Sequence, residues 1–116
     1  FRSHRMSRPI SQEEAKLLER VLAVGAHEPP LPGAFASISA LQVTATYKCG
    51  CSTIWFGPDG DATIGHNLAE ALATLGGETV TLIAWSQGEA VVGLEIIGHE
   101  QTGLPNPLSV RSYGDV

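Results

Sequence analysis

Residues 67–98 read NLAEALATLGGETVTLIAWSQGEAVVGLEIIG, and how this stretch is divided decides the fold. Its second half is strand-like. A hairpin turning at Gln87 and Gly88 would set Ile83 opposite Val92, Trp85 opposite Ala90 and Thr81 opposite Leu94. The other face then carries Leu82, Ala84 and Val91, together with Glu95. Both faces are partly apolar, which suits strands covered on each side. The first half has helix-forming composition. Asn67 is placed to cap it, Glu70 follows three residues on, Leu68, Leu72 and Leu75 share a helical face, and Gly76 ends it. The expectation is a short second helix over 67–75.

Upstream, the period is also two. Leu41, Val43, Ala45, Tyr47 and Cys49 alternate with Gln42, Thr44, Thr46 and Lys48, the mark of a half-buried strand. Gly50 and Cys51 fit a two-residue type II′ turn, with glycine in the first central position. That turn would pair Cys49 with Ser52, Tyr47 with Ile54 and Ala45 with Phe56. It would also send Trp55 to the less apolar face beside Thr46, and the two cysteines to different places.

The clearest helix begins at RPISQEE. Ser11 and Glu14 form an S-x-x-E capping box, which satisfies two orphan amides reciprocally. Leu18, Val21 and Leu22 recur at helical spacing and Gly25 is a natural stop. Pro29, Pro30 and Pro32 make a stiff connector afterwards, and Pro105 and Pro107 exclude a central strand near the end. The sum is an α+β domain: an antiparallel four-stranded sheet of two hairpins, an N-terminal helix and the short second helix. The single domain is expected over 6–116. Residues 1–5 (FRSHR), ahead of Met6, read as an expression remnant or an upstream extension.

Composition narrows the function. The 116 residues suit one domain, and 43% hydrophobic with 16% charged residues is globular composition. Seven basic against twelve acidic side chains give a net charge of -5, without the basic stripe that nucleic-acid binding needs. No apolar run reaches the roughly 18 residues of a membrane span. Two cysteines do not make a disulfide framework, so both read as thiols in a reducing, cytoplasmic setting. The sparse charge leaves an apolar surface suited to a partner protein or to a second copy of the chain.

Three chemistries compete. Cys49 and Cys51 are the candidates for thiol chemistry or, completed by His66 and His99, for a zinc site, although structural zinc wants four ligands, no C-x-x-C or H-x-x-x-H spacing supports one, and a redox role needs a thiolate favoured by its surroundings. The plainer reading makes Cys49 a small core residue and Cys51 a turn residue. His99 beside Glu100 offers an acid–base pair for a small hydrolase, but no nucleophile motif accompanies it. Without a catalytic motif the reading leans away from an enzyme, with no cofactor. The third chemistry is protein binding. Trp55 and Glu95 are its candidate contacts, since exposed indole area is what interface hot spots are made of; the plainer reading has Trp55 covered by the N-terminal segment or by residues 57–66.

The order of RPISQEE, CGCSTIWF, GEAVVGLEI and LPNPL resembles a group of small bacterial single-domain proteins. They start a leucine-rich helix with R-P-[IL]-[ST]-x-x-E, carry a C-G-C turn before an apolar strand, and close with an L-E-I strand and a distal L-P. Many of that group look like immunity proteins. The resemblance implies a partner protein, such as a basic toxin captured by an acidic surface, and it transfers no catalytic residue.

Overall fold

The computed structural model describes residues 3–26, 38–47, 54–56, 66–87, 90–98 and 103–112. Strands β1 (Ser3–Pro9), β2 (Gln42–Tyr47), β3 (Ile54–Trp55), β4 (His66–Leu75), β5 (Glu78–Gln87) and β6 (Ala90–Ile97) accompany one α-helix, α1 (Gln12–Gly25). The body of the sheet is four antiparallel strands in the spatial order β3-β6-β5-β4. The antiparallel pair β1-β2 continues it where Ala45 meets Trp55 and Thr46 meets Ile54. The α+β class, the N-terminal helix and the antiparallel sheet are as expected.

The capping box forms as read. Ser11 Oγ accepts the Glu14 N–H at 3.1 Å, and Glu14 Oε1 accepts the Ser11 N–H at 2.9 Å. Arg8, at the end of β1, donates to both Glu14 oxygens at 2.9 and 2.8 Å. A bidentate, charge-assisted pair of this kind is strong and directional. It clasps β1 to the first turn of α1. Burial alone would raise the Glu14 pKa, but the bonds from Arg8 and from the Ser11 N–H outweigh it, so the carboxyl sits below the usual range.

Residues 67–75 form no helix; they lie within β4. Ala69, Ala71 and Ala73 point to one face and are completely buried there. Leu17, Leu18, Val21 and Leu22 of α1 join them, with Val80, Leu82 and Ala84 of β5 and Leu94 and Ile96 of β6. Alternating alanines let the helix approach closely, and burying that face outweighs a helix preference worth only tenths of a kcal/mol per residue. The chain then reverses at Gly76 and Gly77, with φ of 60° and 83°, between Leu75 and Glu78. Two positive φ values are what a type I′ hairpin turn demands.

Both expected registers are corrected. In the first hairpin Ala45 pairs with Trp55, not Phe56, and Thr46 replaces Tyr47 opposite Ile54. Ile54, Trp55 and Phe56 are all buried, so alternation between a wet and a dry face cannot pin that strand. The proposed turn at Gly50 and Cys51 lies outside the described residues. In the second hairpin Thr81 pairs with Ile97, Ile83 with Glu95 and Trp85 with Gly93. The ladder closes on Gln87 and Ala90, one residue beyond the expected turn, after a bulge opposite Trp85 and Ser86.

Strand β4 forms one margin of the sheet, and the chain covers it. Ala26 bridges Ala69 just past the end of α1. The Leu72 N–H donates to the Arg111 carbonyl and the Arg111 N–H to the Leu72 carbonyl, both at 2.8 Å. The Thr74 N–H donates to Ser109 Oγ at 3.0 Å. Pro105 and Pro107 do exclude a strand here: a 3-10 turn, Pro107–Ser109, carries the chain instead. At the other margin, Ser3, His4 and Arg5 pair with Tyr47, Thr46 and Ala45, so residues set aside in the sequence reading belong to the sheet.

Candidate docking face

On the face turned away from α1 a row of residues crosses the sheet: Trp55 on β3, Gly93 on β6, Trp85 on β5 and Asn67 on β4. The two indoles flank a glycine and have different surroundings. The Trp55 ring lies on the Gly93 backbone, where any Cβ would overlap its six-membered ring. Trp55 is 2% exposed. It is therefore a core side chain, the covered one of the two readings open for Trp55: in a strand covered on both faces, the less apolar side is also dry.

Trp85 is half-buried, and its Nε1–H donates to Glu95 Oε1 at 3.0 Å. Glu95 is thus found beside Trp85 and opposite Ile83, not on the Leu82 and Ala84 face that the expected register assigned. On the far side of β5, Asn67 Nδ2–H donates to Glu70 Oε1 at 2.9 Å. Residues three apart in a regular strand face opposite ways. An irregularity between Asn67 and Ala69 puts Asn67 and Glu70 on one face. A second one lies between Trp85 and Ser86 in the pairing with β6. Trp85 thus has a break in pairing on either side. Bulges bend a strand, add twist and re-aim side chains, and they concentrate at functional places.

Around Trp85 this face holds Ile83, Thr81 and Glu95, all half-buried, and Ile97, which is 43% exposed. Sequence reasoning missed Trp85, Ile97 and Glu70 as a group, because Glu70 joins this face only once 67–75 is a strand and Ile97 only through the β5–β6 register. The available signals were alanine at 69, 71 and 73, and the Gly76-Gly77 pair.

The remaining candidates do not join this face. His66 opens β4 as an exposed residue whose carbonyl accepts from Ser86 Oγ at 3.4 Å. Among the described residues no three His, Cys, Asp or Glu side chains converge. Cys49, Cys51, His99 and Glu100 lie outside the described residues. No described helix is long and apolar enough to cross a membrane. Comparison with protein-family models, curated proteins and solved structures finds no match to this chain.

Proposed function

We propose that the protein is a non-enzymatic protein-binding domain that docks a basic partner on the sheet face around Trp85. The observation that carries this reading is Trp85 itself, flanked on both sides by breaks in strand pairing and on the same face as the exposed Ile97, with the Ile83–Glu95 pair between them. Aromatic and aliphatic side chains that are partly wet, with carboxylates at their margin, have the make-up of an interface core and rim. The net charge of -5 favours a cationic partner and speeds its capture. An immunity-like role against a basic toxin in the cytoplasm is the form the family resemblance suggests.

The test is capture from the source cell, followed by binding measurements with the purified partner. Wild type is compared with Ile97→Asp and with Lys16→Ala, a control on the exposed side of α1. The expected result is one basic protein bound by wild type and by Lys16→Ala, with affinity at least about tenfold weaker for Ile97→Asp. A partner held equally by Ile97→Asp, or the absence of any stoichiometric partner, contradicts the reading.

A further inference from the structure

Within that reading, and resting on it, we infer that the partner is anchored by an arginine side chain seated over Ile83, between Glu70 and Glu95 and against Trp85. The register puts Glu70, Ile83 and Glu95 side by side on β4, β5 and β6. Neighbouring strands lie about 4.8 Å apart, so the two glutamate backbones are roughly 10 Å apart with an apolar floor between them. A cation over that floor sits about 5 Å from each side, close enough to reach both.

The two carboxylates are held alike. Each has one oxygen bonded to a neighbour's N–H: Glu95 Oε1 to Trp85, Glu70 Oε1 to Asn67. Among the described residues no donor occupies the second oxygen of either. Nor, among the described side chains, does a cation sit between them. Arg8 is paired with Glu14, Lys16 and Arg20 belong to α1, and Arg111 donates to Ser109 O and Thr74 Oγ1 at the sheet margin. Two glutamates at this separation, about one Debye length in physiological salt, repel each other across the floor, and a bound cation relieves that repulsion.

The shape of the seat selects among cations. A guanidinium is flat, offers five donors in a fixed fork, and packs on apolar and aromatic surface at low desolvation cost. Ile83 supplies the floor and the Trp85 ring one wall, where a cation–π contact adds to the charge pairs. An ammonium is compact and strongly hydrated, so it reaches one carboxylate without covering the floor. A hydrated divalent ion gains nothing from isoleucine.

The experiment follows the Trp85 indole N–H by NMR in the full chain. The probes are N-acetyl-arginine amide and N-acetyl-lysine amide, each taken to about 10 mM, where a Kd near 1 mM saturates. The expected outcome is a saturable shift with the arginine probe and at least about threefold weaker binding of the lysine probe. Binding should be lost in Glu70→Gln and Glu95→Gln, which keep an oxygen for the Asn67 and Trp85 donors. A shift that does not saturate, an equal response to lysine, or indifference to Glu70→Gln overturns the inference. The two proposals fail separately. If Glu70→Gln and Glu95→Gln hold the partner as well as wild type while Ile97→Asp loses it, the arginine seat is wrong and the docking face stands. If the arginine probe saturates but Ile97→Asp holds the partner fully, the docking reading is wrong and the cation seat stands.

Discussion

Under α1 the sheet presents alanine at 69, 71 and 73 of β4 and nothing larger than leucine or isoleucine on β5 and β6, whereas its other face carries two tryptophans, an exposed isoleucine and two glutamates. The first surface is built for close approach. Gly25, at the end of α1, lies against the Glu70 carbonyl, where a Cβ would overlap the backbone. The second surface is built by re-aiming, with breaks in pairing on both sides of Trp85. Trp55 and Trp85 make the contrast within a single cross-strand row. One indole is packed on Gly93 and buried; the other is half-buried and tied to a carboxylate. Residue type alone does not separate structural from functional aromatics. The glycine beneath and the strand irregularity beside them do.

The largest expected effect breaks that contrast directly. Trp55→Ala should cost about 3–5 kcal/mol in chemical denaturation, as for other large side chains removed from a core. Trp85→Ala should cost about 1 kcal/mol or less, because its ring is only half-buried and its hydrogen bond partner stays wet. Equal losses would mean that both indoles are structural. Next come the close approaches. Gly93→Ala and Gly25→Ala should each cost about 1–3 kcal/mol, the first by driving a methyl into the Trp55 ring and the second by pushing α1 off β4. Neither change should matter if the rings and the helix can move aside.

The clasp under α1 sharpens the comparison through pH. Burial acts to raise the Glu14 pKa, but its bonds with Arg8 and Ser11 lower it on balance. The folded value therefore lies below the unfolded one of about 4.3. The stability this contributes is fully present above the unfolded value and is lost as pH falls through the folded one. In Arg8→Ala the burial remains and the strongest lowering contact is gone, so acid destabilisation should begin at higher pH. Superposable acid titrations of wild type and Arg8→Ala would show that the clasp does not hold β1 to α1. The smallest effect belongs to the exposed face. Ile97→Asp should change stability by roughly 0.5 kcal/mol or less, as surface substitutions do, while it weakens binding of the proposed partner at least about tenfold.

Much of the helical half was legible beforehand. Ser11 and Glu14 announced the start of α1, and Gly25 its end, because capping is local chemistry. The strands over 78–87 and 90–97 were also legible, yet their register was not. Leu82 and Ile83 are both apolar, as are Ile96 and Ile97, so a slip exchanges one apolar face for another, and bulges leave no mark in composition. Strand β4 was misread because Ala, Leu and Glu favour helices, and only contact with α1 and β5 decides otherwise. The candidate face inherited that error. The charge of Glu95 is plain in the sequence, but its partnership with Trp85 depends on a register three residues away from the expected one. The Trp55 ring is equally visible, but what buries it is its seat on Gly93, a contact that depends on the pairing of β3 with β6.

The central claim is that the face around Trp85 is open for docking while the face under α1 is closed. A soluble paramagnetic agent added to the free, full-length chain tests it most directly, by broadening NMR signals according to their distance from solvent. The account predicts strong broadening of the Ile83 and Ile97 methyl signals, and little at Ala71, Leu82 or the Trp55 indole. Uniform protection of Ile83 and Ile97 alongside Leu82 would place a further layer over that face and contradict the account.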